Sequence, residues 1–133
     1  LPCGCGARGC LETLASASAA RRRAGERRLP AESPGDLVLL ASRARAGAGP
    51  ERELLDEIGY DLGRGVAAVL ALLDVRTFVF GGGFSAALDT LEPGLRRALC
   101  TWSYGEWAAT VRLLPAALGA SAGWIGAARL LLG

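Results

Sequence analysis

The sequence predicts an α/β chain, rich in helix and with an incomplete sheet. Three observations lead there. Apolar residues recur at helical spacing from Glu51 to Asp74. The β-branched and aromatic stretch Thr77-Phe78-Val79-Phe80 reads as a short strand, and it runs straight into Gly81-Gly82-Gly83 and a helix from Ser85 to Leu99. A second strand candidate, Thr110 to Leu114, is again followed by a helix, Ala122 to Leu132. Strands that alternate with helices are the α/β pattern, although two strands are too few for a free-standing sheet of that class.

The elements follow in chain order. Residues 1–10 form a tight Gly/Cys knuckle. Residues 11–23 are helical, with Leu11, Leu14 and Ala15 on one apolar face; Arg21-Arg22-Arg23 is expected to be a solvated cationic helix end, which suits the negative end of the macrodipole. Residues 29–36 (LPAESPGD) are a Pro/Gly loop, and Leu37 to Arg45 is a short apolar helix. Gly47 to Pro50 is a break, with Pro50 suited to a first helical position. The long helix presents Leu54, Leu55, Ile58, Leu62, Val66, Val69, Leu70 and Leu73 at helical spacing. Gly63 and Gly65 lie inside it, each unfavourable by about 1 kcal/mol against alanine, and so mark close approach by another element or ligand. The aromatic stretch Thr101 to Trp107 is either a subunit contact or a covered loop. The tail from Leu113 to Gly133, interrupted by Pro115, Ser121 and Arg129, reads as a buried helix rather than a membrane span. There is no internal repeat.

Composition excludes several chemistries. The chain has 133 residues, enough for one core, and a net charge of +2, which creates no strong field for nucleic acid or anionic membrane. There is no Lys, so no Schiff base and no Walker-type phosphate lysine. There is no His, so no Ser-His or Cys-His nucleophile pair within the chain. There is no Met either, and Leu1-Pro2-Cys3 opens inside a motif, so the expectation is a fragment of a longer protein. The first residues carry no basic-then-apolar leader, and the longest clean apolar run, Val66 to Leu73, is too short to cross a bilayer; a soluble cytoplasmic protein is expected.

Cys3, Cys5 and Cys10 have the spacing C-x-C-x4-C, with Gly4, Gly6 and Gly9 between them. Three thiols so close can wrap one tetrahedral ion, and glycine permits the positive φ angles that such a wrap needs. In a reducing compartment this is a metal site before it is a disulfide, and zinc is the default ion for a thiolate-rich closed site. The rival is a Cys3–Cys10 or Cys5–Cys10 disulfide in a secreted mini-domain. Cys100, the remaining thiol, is expected to be a core residue at an apolar helix end, leaving the fourth ligand unassigned.

The stretch Cys3-Gly4-Cys5-Gly6-Ala7-Arg8-Gly9-Cys10-Leu11-Glu12 resembles the signature of the ROK family (repressors, open reading frames and kinases), C-x-C-G-x-x-G-C-x-E, at every fixed position. Phe78-Val79-Phe80-Gly81-Gly82-Gly83-Phe84-Ser85 resembles the family's strand–GGG–helix element. The segment from Leu118 to Ala128 resembles its closing helix, with Ser121 where an acid is common. The likeness covers nearly the whole chain in the right order, as the C-terminal portion of a protein roughly twice as long.

This resemblance implies the C-terminal lobe of an actin-like (ribonuclease-H-type) ATPase fold. It implies an ATP- and Mg2+-dependent hexose kinase, glucokinase-like, with glucose as the leading substrate and either ATP or polyphosphate as phosphoryl donor. Cys3, Cys5 and Cys10 would hold a structural zinc ion, with an upstream His as the fourth ligand. Glu12 would accept a hydrogen bond from a sugar hydroxyl, and Gly81, Gly82 and Gly83 would face the nucleotide. Residues 1–12 would be the zinc knuckle, 13–74 a helical segment and 75–133 the nucleotide side. The catalytic base would lie in the absent N-terminal lobe, leaving no catalytic residue here. By the same resemblance the protein is a homo-oligomer. The alternative is a sugar-sensing ROK repressor whose DNA-binding part is missing.

Two motifs are set aside. Gly119-Ala120-Ser121-Ala122-Gly123 matches G-x-S-x-G, but no His is present to activate the serine. Asp61-Leu62-Gly63 echoes a phosphate-binding D-x-G, yet it lies within a helical period and is followed by Arg64-Gly65.

Overall fold

A computed structural model describes residues 1–30, 34–47, 49–82 and 85–131. Helix α1 spans Glu12–Ala15 and α2 Ala17–Glu26. The single helix expected over 11–23 is therefore broken, because Ser16 is extended (φ −102°, ψ 171°) and its hydroxyl accepts from the Ala19 N–H at 3.0 Å. A serine that caps a new helix ends the old one. Ser16→Ala is expected to lower stability by about 1 kcal/mol, read from the urea midpoint.

Helix α3 is Pro34–Ala46, three residues longer at its start than the sequence suggests, since a proline fits the first turn. Helix α4 is Pro50–Leu73, beginning on Pro50 as expected and ending at left-handed Asp74. Strand β1 (Thr77–Phe80) precedes a 3-10 turn, Ser85–Ala87, and helix α5, Leu88–Trp102. A short helix that the sequence reading missed, α6 (Gly105–Thr110), takes up the residues expected to start the second strand, so β2 is Arg112–Pro115. Helix α7 is Ala122–Leu131.

Parallel helices α4 and α5 form the spine. A Cβ on Gly59 would overlap the Leu91 carbonyl; one on Gly63 would lie 2.6 Å from Leu95 O and 2.7 Å from Ala98 Cβ; one on Gly94 would overlap the Asp56 carbonyl. The backbones thus touch. This contact selects the buried stripe of α4, in which Gly59, Gly63 and Ala67 are buried whereas Val69 and Leu73 are exposed, against expectation. One core cluster joins α2, α3 and the first half of α4 around Leu40, Leu54, Leu55 and Ile58. The other joins the second half of α4 to α5, α6 and the sheet around Leu70, Leu95 and Leu99.

Strands β1 and β2 pair in parallel, Thr77 opposite Arg112 and Phe80 opposite Pro115. Phe78, Phe80 and Leu113 pack on the core, while Val79 on the other face is 63% exposed. A parallel sheet is normally covered on both faces, so this one is incomplete, as the sequence suggests.

Four further expectations are corrected. Helix α7 is not buried: every residue of it is exposed, with Trp124 at 84%. Apolar composition creates the tendency to be covered, but burial needs a facing surface. Cys100 is exposed rather than core, because it falls one position past the buried Ala98–Leu99 pair. The arginine run is not simply solvated: Arg23, only 15% exposed, donates to Glu57 at 2.7 Å and Asp61 at 2.8 Å on α4. The aromatic stretch is not a covered loop: α5 ends at Trp102 and α6 begins at Gly105, Trp102 and Tyr104 are exposed, and the Trp102 indole donates to the Tyr60 hydroxyl at 2.9 Å.

Candidate metal centre and adjoining cleft

Backbone hydrogen bonds close the knuckle. The Cys3 N–H donates to Ala7 O at 2.9 Å, Gly6 N–H to Cys3 O at 3.0 Å and Gly9 N–H to Leu1 O at 2.9 Å, with a bridge between Pro2 and Arg8. Gly6 (φ 88°) and Gly9 (φ 74°) have left-handed backbones that side chains with a Cβ rarely adopt. The frame turns Cys3, Cys5 and Cys10 inward, with their sulfurs all within 4.8 Å of one another and Cys5 Sγ 3.6 Å from Cys10 Sγ. Four thiolates on a zinc ion at about 2.3 Å would stand about 3.8 Å apart. The donor set and its spacing therefore fit zinc, with one coordination position left for a ligand from elsewhere. The Ala7 N–H, followed by the Cys3 and Cys10 thiols, holds the Cys5 thiol below its ordinary range. Cys10 is pushed up, by Cys5 first and then Cys3.

The knuckle leads directly into α1. The Cys10 carbonyl accepts from the Thr13 N–H at 2.9 Å and the Thr13 hydroxyl at 2.7 Å, which fixes Glu12 between two anchored residues. Glu12 is exposed in the first turn. Leu11 seats against Gly65 of α4, where a Cβ would come within 2.6 Å of Leu11 Cδ2. Gly65 thus opens toward the knuckle, and the close approach there is by Leu11, the residue that leads into α1. Sequence reasoning also missed the arginines that hold α1 from below: Arg22 donates to Thr13 O at 3.1 Å and Arg23 to Leu14 O at 3.2 Å. The spacing of Glu57 and Asp61, one helical turn apart, signals a pair able to meet a cation together but not which cation.

The glycine turn lies on the far side of the same cleft. Gly82 is left-handed (φ 88°) and its carbonyl accepts from the Ser85 N–H at 3.1 Å and hydroxyl at 2.7 Å. Gly83, the third predicted glycine, lies outside the described residues. A cavity of about 310 Å³ is lined by Ala15, Ser16 and Ala17 on one side and by Phe80, Gly81 and Gly82 on the other. Folding therefore brings the helix that follows Glu12 and the turn that follows β1 to one opening. Asp61 is no phosphate ligand here; it is on α4, as expected, and bound to Arg23.

Comparison with known proteins extends these likenesses along the chain. It is 30% identical over 145 residues to the glucokinase of Streptomyces coelicolor, covering 98% of this chain and 46% of that one. The crystal structure of a ROK family glucokinase from Streptomyces griseus, in complex with glucose and AMPPNP, is 32% identical with a TM-score of 0.74, over 100% of this chain and 48% of that one. A ROK family transcriptional regulator, a homologue of the E. coli MLC protein, is 25% identical with a TM-score of 0.69, over 86% of this chain and 31% of that one. This chain thus spans less than half the length of these relatives, and its fold is that of the actin-like ATPases to which ROK sugar kinases belong. No helix among the described residues is long and apolar enough to cross a membrane. With a ROK profile matching from residue 1 to residue 133, the chain belongs to the ROK family.

Proposed function

We propose that this chain is the C-terminal lobe of a glucokinase-like hexose kinase that transfers the γ-phosphoryl of ATP to a sugar hydroxyl. The observation that carries this reading is the shared cleft: Ala15–Ala17, following Glu12, and Gly81–Gly82, following β1, line one cavity although far apart in sequence. Phosphoryl transfer depends on holding two substrates in line and stabilising charge, so the two binding elements must converge.

In this reading Glu12 accepts a hydrogen bond from a sugar hydroxyl; an ionised carboxylate is the strong acceptor for that task. Gly81 and Gly82 offer backbone N–H groups to the phosphates of ATP, Gly83 belongs to the same nucleotide site, and Mg2+ enters bound to those phosphates. Cys3, Cys5 and Cys10 hold zinc, whose role is structural cross-linking of the knuckle. Their grip fixes Cys10, and Cys10 fixes the start of α1. The N-terminal lobe supplies the catalytic base and covers α7 and the bare face of the sheet. The test is Glu12→Gln in the full-length protein. The KM for glucose is expected to rise about 10- to 100-fold, the loss of one charge-assisted hydrogen bond, with the KM for ATP unchanged. An unchanged glucose KM would remove Glu12 from the sugar site. This chain without its other lobe is expected to show no ATP-dependent glucose phosphorylation.

A second reading, a sugar-sensing repressor, is favoured by the similarity to the transcriptional regulator. Calorimetry of the full-length protein separates the two: a repressor binds the sugar but not AMPPNP, whereas a kinase binds both.

A further inference from the structure

We infer that Cys5 and Cys10 form a reversible dithiol oxidation site, at which a hydroperoxide closes a disulfide within the knuckle. Their sulfurs lie 3.6 Å apart, within hydrogen-bonding range. Cys5 is exposed and so is the thiol an oxidant in solution meets first, while Cys10 is half-buried beside it. A disulfide needs the sulfurs about 2.05 Å apart. The loop is open at its glycines: added Cβ atoms at Gly4, Gly6 and Gly9 would meet nothing within 4 Å. The hydrogen bonds that shape the knuckle run between backbone atoms and use no sulfur.

The reaction balances as follows. The Cys5 thiolate attacks one peroxide oxygen and the O–O bond breaks. The departing oxygen takes a proton and leaves as water or an alcohol, and Cys5 becomes a sulfenic acid, oxidised by two electrons. The Cys10 sulfur then attacks the Cys5 sulfur, the S–O bond breaks, and the hydroxide leaves with a proton as water. Two thiols and one hydroperoxide give one disulfide, one water and one further water or alcohol. Exchange with a dithiol reductant reverses the step. Because thiolates, not disulfide sulfurs, are metal ligands, oxidation removes two of the three chain ligands and releases a bound dication. That consequence, together with a slackened Cys10–Thr13 anchor under Glu12, rests on the metal reading above; the dithiol site does not.

Arg8 lies between the two cysteines and makes the test direct. The chain is loaded with zinc, freed of excess metal and assayed for zinc, then treated with hydrogen peroxide, alkylated and digested with trypsin. Cleavage after Arg8 and Arg21 separates 1–8 from 9–21, so a Cys5–Cys10 disulfide joins those two peptides. Fragmentation of the joined species is expected to show Cys5 bonded to Cys10. The free-thiol count is expected to fall from four to two, with recovery on treatment with dithiothreitol. Cys100→Ser is expected to leave the linkage unchanged. Peptides that stay separate, a linkage through Cys3, or irreversible higher oxidation of Cys5 would overturn the inference. Zinc retention before peroxide is scored separately: a chain that holds no zinc fails the metal reading, and the peptide linkage still decides the dithiol site.

Discussion

Gly94→Ala is expected to lower the melting temperature by about 10 °C. The added Cβ would overlap the Asp56 carbonyl oxygen and lie 2.8 Å from the Tyr60 nitrogen. These are backbone atoms of α4, which cannot turn aside as a side chain would. Helices α4 and α5 must then part along a seam that buries Leu91, Leu95, Ala98 and Leu99. Parting also pulls on the paired hydrogen bonds from Arg97 to Asp56, at 2.7 and 2.6 Å. Overpacking of a tight core costs about 3 kcal/mol, which in a domain of this size is about 10 °C. Gly25→Ala is the control of opposite sign. That glycine lies in α2 with nothing within 4 Å of an added Cβ, so alanine should stabilise by about 1 kcal/mol through helix propensity alone. Calorimetry of both variants decides the matter. A Gly94→Ala protein that melts with the wild type would mean that the two helices are not in backbone contact.

Cys10→Ser is expected to weaken zinc binding about a hundredfold or more, measured by competition with a chromophoric chelator. The serine hydroxyl is not ionised at neutral pH, and an alcohol is a poor replacement for a thiolate on zinc. Cys10 is also the knuckle residue whose carbonyl accepts from the Thr13 N–H and hydroxyl, so a metal bond at its sulfur would be mechanically linked to the position of Glu12. Cys100→Ser, at an exposed site on α5, should leave affinity unchanged. Equal losses in the two variants would dissolve the three-cysteine site.

Much of this architecture was legible residue by residue. The spacing of 3–10 pointed to a wrap needing positive φ among Gly4, Gly6 and Gly9, and the fold has it at Gly6 and Gly9. Thr77–Phe80 is a strand and Pro50 starts the long helix, because these outcomes depend on local sterics and on periodicity. The cysteine signature with its glutamate was enough to point to the family. Other features were not legible, because they depend on which surfaces meet. Nothing in the sequence around Arg23 says that Glu57 and Asp61 will face it from another helix, nor does the GGG motif say that Ala15–Ala17 will line the same cavity. Gly59 and Gly94 read locally as helix weaknesses; only the α4–α5 crossing makes them necessary. Cys100 and α7 carry the apolar character of a core yet lie outside it, since burial belongs to a pair of surfaces and a sequence pattern describes one. Sequence by itself determined the donor set of the knuckle, the first strand and the start of the long helix, which are short-range; tertiary structure decided the partners, because long-range contacts are chosen by packing.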